Sequence, residues 1–279
     1  MSSLGAGGSD VVTKRSSSGR PSREQRLSAA RARAGRTAGE WAARLSERLD
    51  PEEAMRLSKG MLAAIDEVSS NRWEAATKRA AELPGTIRPE KIKALTDTFA
   101  RELGTAGAAA GAAAAAPTVG TAATLMATTA ELGWFTARAG DLILTIAALH
   151  GRPNPTVDER RAWVLAVLIY GSSARDGFAR TLNEASTGMT PAGNRRLPLA
   201  TLQTANRLMS RRLLRRYGSK RGMIALGRAL PIGLGAAIGG TANYMAIRTL
   251  ARHADEFFAR LPYSAIDVDS IDVTGRLLD

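Results

Sequence analysis

Arg88-Pro-Glu-Lys-Ile92-Lys-Ala-Leu95-Thr-Asp-Thr-Phe99-Ala-Arg-Glu-Leu103-Gly104 reads as one amphipathic helix. A proline is tolerated in the first turn, Glu90 puts negative charge at the positive end of the helix dipole, and Ile92, Leu95, Phe99 and Leu103 recur every three or four residues on one face. Gly104 predicts its stop. The same signals recur on both sides. Asp50-Pro51-Glu52-Glu53 launches Met55, Leu57, Met61, Leu62, Ile65 and Val68, and Pro84-Gly85 breaks the chain before Arg88. Thr156-Val-Asp-Glu159 is a capping box ahead of Trp163, Val164, Val167, Leu168, Ile169 and Tyr170. No convincing pair of strands accompanies these helices. The expected fold is therefore all-α: a multi-helix bundle with two Gly/Ala-rich helical hairpin-like segments.

Around that bundle the composition changes. Residues 1–38 set eight Arg and Lys against only Asp10 and Glu24 in a Gly/Ser background, too polar for burial to offset ordering, and read as a disordered basic arm. Residues 39–261 form the helical domain, and residues 262–279 an acidic C-terminal tail. The 279 residues carry a net charge of +13 and no cysteine, which removes thiolate and disulfide chemistry. The start of the chain lacks the continuous apolar core of a secretory signal, so a cytoplasmic location is expected.

Between Ala185 and Ala254 there is no acid but there are twelve Arg and Lys. Arg207, Arg211, Arg212, Arg215, Arg216, Lys220, Arg221 and Arg228 lead into the uncharged run Leu230-Pro-Ile-Gly-Leu-Gly-Ala-Ala-Ile-Gly-Gly-Thr-Ala-Asn-Tyr244. Polybasic sequence beside a small-residue apolar helix suits an anionic lipid surface, so these eight side chains are the candidate anionic-surface contacts. A second uncharged run covers residues 103–130. Both runs are too poor in large apolar side chains to make ordinary transmembrane helices. Gly107, Gly111, Gly120, Gly235, Gly239 and Gly240 instead predict close backbone-to-backbone helix packing. Aligning Pro117 with Pro231 matches Ala137 to Ala251, Arg138 to Arg252 and Asp141 to Asp255, which suggests two related helical elements that pack together.

Taken in order, Pro84-Gly-Thr-Ile87, Glu102-Leu-Gly-Thr-Ala-Gly with its alanines and Pro117-Thr-Val-Gly120, Leu149-His-Gly151, Asp158-Glu-Arg-Arg-Ala-Trp-Val-Leu and the 230–244 run resemble the EcsC family. The likeness spans roughly residues 60 to 260. It implies an all-helical bacterial protein of undefined biochemical role, linked to ABC transport or secretion with a membrane transporter as partner, and without an established catalytic motif.

Signals for chemistry are sparse. No Gly-x-Ser-x-Gly elbow or Walker-type loop occurs, and no cofactor is expected. Glu131, Asp141, His150 and His253 are the residues from which a polar or metal site would be assembled. A carboxylate at Glu131 buried among the uncharged helices would need a partner such as Arg138 or Arg228. The leading expectation is peripheral association with the cytoplasmic membrane. Two alternatives stand beside it: a soluble nucleic-acid-binding protein using the arm and the arginine helix, and a metal-dependent enzyme near Glu131, Asp141, His150 and His253. Tyr217 is the only aromatic in the basic cluster, which disfavours stacking on single strands.

Overall fold

The computed structural model describes residues 51–114, 121–186, 198–219 and 236–261, and there it contains helices and no strand. The basic arm and acidic tail lie outside the described residues, as do Gly120, Lys220, Arg221, Arg228 and Gly235. In chain order the helices are α1 (Pro51–Asn71), α2 (Trp73–Glu82), α3 (Arg88–Ala114), α4 (Thr121–Leu149), α5 (Val157–Tyr170), α6 (Ala174–Ala185), α7 (Leu199–Tyr217) and α8 (Ala236–Arg260). A short 3-10 turn, Gly171–Ser173, joins α5 to α6.

Local sequence accounts for most of the boundaries. Helix α1 starts at Pro51 and buries Ala54, Leu57, Met61, Ile65 and Val68. Between α2 and α3 the chain turns at Gly85, whose φ of 122° is left-handed, and the Glu90 carboxylate accepts the Thr86 N–H at 2.9 Å. The capping box of Thr156 and Glu159 is formed with both of its reciprocal bonds. One expected boundary is wrong: α3 does not stop at Gly104 but continues to Ala114. The alanines that follow are the best helix formers and offset the roughly 1 kcal/mol that a mid-helix glycine costs. Tertiary packing adds to them, since α3 lies along α8 in the most extensive helix contact among the described residues.

Helix α4 is the centre, touching α1, α2, α3, α5 and α8. Leu142, Ile143, Leu144 and Ile146 are all fully buried, so the last part of α4 is enclosed on every side rather than along one stripe. Its stretch Leu132–Leu149 is long and apolar enough to cross a membrane by length and composition, but 67% of it is buried inside the protein. That makes it a core helix.

Three contacts fix the direction of the central helices. Asp97 of α3 bonds Arg248 of α8, and Glu102 of α3 bonds Arg138 of α4. At the start of α3, Arg88 lines one cleft with Ala148 and Leu149 at the end of α4, and His150, just past α4, bonds Asp255 of α8. Moving up α3 from Arg88 therefore means moving down both α4 and α8, so α3 is antiparallel to each. The end of α3, the start of α4 and the start of α8 consequently lie at one end of the bundle. These are the uncharged Gly/Ala-rich parts of the sequence, and α4 and α8, which carry the residues matched in the internal alignment, are in contact. Arg152, Phe258 and Leu261 mark the opposite end.

Close approach at one glycine yields a test. A Cβ on Gly177 of α6 would stand 2.3 Å from Cγ of Tyr170. The tyrosine ring is not free to retreat, because its hydroxyl is hydrogen-bonded to Thr181 at 2.8 Å and to Arg212 at 2.7 Å. Gly177→Ala is expected to destabilise the fold by about 1–3 kcal/mol through overpacking, read as a lowered melting temperature. Unchanged melting would mean that Tyr170 repacks freely.

Candidate functional site

The buried stripe of α7, made by Leu202, Ala205, Asn206, Met209, Leu213 and Tyr217, turns its arginines in two directions. Arg207, Arg211 and Arg215 recur at four-residue spacing and are exposed. Among the described residues the Arg207 side chain donates to its neighbour Thr204, and the Arg211 and Arg215 side chains make no hydrogen bond or ion pair. Arg212 points the other way, donating to Tyr170 Oη at 2.7 Å and Thr181 Oγ1 at 2.6 Å and pairing with Glu184. Burial opposes its charge, but the bonds to Tyr170 and Glu184 outweigh that and push its pKa up. Arg216 donates to the Ile169 carbonyl at 2.7 Å, capping the negative end of α5, and stacks over the Tyr217 ring. The five arginines of α7 thus differ in engagement: Arg207, Arg211 and Arg215 face solvent, half-buried Arg212 braces α5 and α6, and Arg216, though exposed, is tied to the end of α5. The reason is the 100° turn per residue, which sets Arg212 and Arg216 on a different flank from the other three.

The helix carrying this face ends beside the middle of α8. Tyr217 and Arg216 share a cleft of about 450 Å³ with Met245, Leu250 and His253. The start of α8 lies nine residues above Met245, about 13 Å further toward the Gly/Ala end. Gly107 and Gly111 fall within α3, and Gly239 and Gly240 within α8. Trp134, which the sequence did not single out, is 40% exposed on α4, one turn past Glu131, where the uncharged stretch ends.

Asp141, His150 and His253 do not gather. Asp141 is buried and accepts from Arg138 at 2.7 Å, in a cluster completed by Glu102 on the same guanidinium. Arg138 also lies 4.4 Å over the Phe99 ring, and Arg79, bonded to Thr145, lies 5.5 Å from the same ring. Burial works against the Arg138 charge, yet its bonds to Glu102 and Asp141 win and raise its pKa, whereas burial lowers that of Arg79. Arg138 is therefore committed to Glu102 and Asp141. Glu131 belongs to α4, and its side chain lies outside what is described. Although Asp141 and Asp255 are equivalent in the internal alignment, Asp255 bonds His150 Nε2 across to α4 at 2.8 Å. His253 faces Gly171 on another side of α8. Among the described residues no three His, Asp or Glu are placed to hold a metal. The sequence did hold one clue to the cluster: Arg138 and Asp141, at i and i+3 in an otherwise apolar stretch, call for mutual burial. Glu102 and Arg79 could be found only by folding.

Burial lowers the pKa of both histidines, with the charges of Arg88 and Arg152 adding to the effect at His150 and that of Arg252 at His253; the Asp255 bond only partly opposes it. The folded protein holds both rings neutral while the unfolded chain protonates them near the ordinary value of about 6.5. Their contribution to stability is complete above that pH and is lost as pH falls below it. Thermal melts are expected to drop as pH decreases from about 7 to 5. A His150→Gln/His253→Gln double variant should show a flatter profile, and an equal slope in both proteins would assign the loss to other groups.

No family model, no curated protein and no solved structure matches this chain.

Proposed function

We propose that the chain is a peripheral membrane-associated helical accessory protein of the EcsC type, docking on anionic lipid at the inner face of the cytoplasmic membrane. The observation that carries this reading is the gathering of three uncharged, small-residue helix ends, from α3, α4 and α8, at one end of the bundle. A soluble helix tip normally carries charge. Three together without any, bounded by a half-exposed Trp134, match the chemistry of a lipid interface, where tryptophan sits between apolar and wet layers. Arg207, Arg211 and Arg215 supply the headgroup attraction. The reading assigns adhesion rather than catalysis, and a role beside a membrane transporter rests on the EcsC resemblance alone.

Flotation of the purified full chain with liposomes tests it. Vesicles containing phosphatidylglycerol should carry the protein upward at low salt, neutral phosphatidylcholine vesicles should carry less, and added salt should release it. Protein that stays at the bottom with both lipids, or that is retained by duplex DNA while ignoring vesicles, overturns the proposal.

A further inference from the structure

The cleft of about 450 Å³ shared by the end of α5, the end of α7 and the middle of α8 is walled by apolar side chains, among them Val167, Ile169, Ala246 and Leu250. Two polar groups on its described lining keep unused hydrogen-bonding capacity. Tyr217 is 3% exposed, yet its hydroxyl makes no hydrogen bond among the described residues. Buried polar groups are almost always bonded, so a bare hydroxyl on a cleft wall calls for a partner from outside. Burial pushes the phenol pKa up, with the Arg216 charge opposing, and the group stays a donor. Arg216 is the second. One of its N–H groups donates to the Ile169 carbonyl at 2.7 Å, which fixes the guanidinium 5.5 Å from the centre of the Tyr217 ring, and the others have no acceptor among the described residues. His253, also on the lining, adds no charge near neutral pH: burial and the Arg252 charge push its pKa down against the pull of exposed Glu256.

We infer that this cleft binds an amphiphile of the fatty-acid class, its apolar chain against the walls and its carboxylate accepting from the Tyr217 hydroxyl and the free N–H groups of Arg216. Apolar walls hold a hydrocarbon chain by removing its CH₂ groups from water, a contribution that a small inorganic anion cannot make. A carboxylate can accept from a guanidinium and a hydroxyl at once, whereas an alcohol head would leave most of the Arg216 donors unused. The volume lies in the lower part of the range for small-molecule pockets, which suits one chain rather than two. All of these groups belong to the folded protein, so binding takes place in solution and the inference stands independently of membrane docking.

Calorimetric titration of the full chain with decanoate, without vesicles and at concentrations where decanoate is monomeric, tests it. Binding should saturate at one equivalent, whereas decanol, which lacks the carboxylate, and acetate, which lacks the chain, should each bind about tenfold more weakly or worse. Tyr217→Phe should weaken decanoate binding about tenfold. Because the hydroxyl has no partner within the described protein, that variant should melt no earlier than the parent. Arg216→Gln should lose decanoate while still floating with phosphatidylglycerol vesicles, and Arg207→Gln/Arg211→Gln/Arg215→Gln should do the reverse, so failure here and failure of membrane docking are distinguishable. Thr249→Trp, at an exposed position on the lining, should plug the cleft without entering the core and block binding. Absence of saturable binding, decanol matching decanoate, undiminished binding in Tyr217→Phe and Arg216→Gln, earlier melting of Tyr217→Phe, or a response to phosphatidylglycerol vesicles but not to free decanoate would overturn the inference.

Discussion

Replacing Asp141 by alanine is expected to lower stability by roughly 3 kcal/mol, more than the glycine substitution on α6 or the loss of any surface ion pair. The carboxylate is 2% exposed and stands between two guanidinium groups that both lie over Phe99, itself 1% exposed. Two cations and two carboxylates balance in that cluster, so removing Asp141 leaves Arg79 and Arg138 to share Glu102, which is 39% exposed and correspondingly weaker as a counter-charge. The cost belongs to the uncompensated buried charge rather than to the net worth of the pair. A double replacement separates these terms. Asp141→Leu combined with Arg138→Met should recover most of the loss, because apolar groups of similar size leave no unpaired charge in the core. The melting temperature should fall by roughly 6–12 °C in the alanine variant and by much less in the double variant. Asp97, partly exposed between Lys93 and Arg248, is the control. If Asp97→Ala and Asp141→Ala melt alike, the buried cluster is not a stabilising centre.

Neutralising the solvent-facing arginines is expected to have the largest effect on membrane binding. Each cation near an anionic surface contributes about 1 kcal/mol, so Arg207→Gln/Arg211→Gln/Arg215→Gln should weaken phosphatidylglycerol vesicle binding by roughly 100-fold at low salt. Arg212→Gln and Arg216→Gln remove the same kind of charge but from side chains already engaged by the protein, Glu184 and Tyr170 holding Arg212 and the Ile169 carbonyl holding the exposed Arg216. These variants should melt earlier while binding vesicles nearly as well as the parent. The contrast tests direction as well as charge. Equal losses from the two sets of variants, both remaining folded, would show that total charge, not this face, governs binding. Unchanged binding in the triple variant would remove α7 from the interface.

Much of this architecture was legible from local rules. The proline and acid at the start of α1, the Pro84-Gly85 break and the box of Thr156 and Glu159 each act within a few residues, so their physics is complete in the sequence. The length of α3 was not legible beyond Gly104, because what holds a glycine-bearing helix is partly its neighbour, here α8. The arginines of α7 show the same division. Their abundance and spacing could be read directly, whereas the engagement of Arg212 and Arg216 by α5 and α6 depended on where those helices packed.

By itself, the sequence determined an all-helical chain, where several of its helices begin, and the clustering of positive charge beside runs of small residues, since propensity, capping and composition are short-range properties. Only the tertiary structure decided that three uncharged helix ends share one end of the bundle, that Arg138 joins Asp141 to Glu102, and that His150 bonds Asp255 from a distant part of the chain. Those pairings are set by the antiparallel course of α3 against α4 and α8, which brings distant side chains within the few ångströms over which charge and hydrogen bonding act.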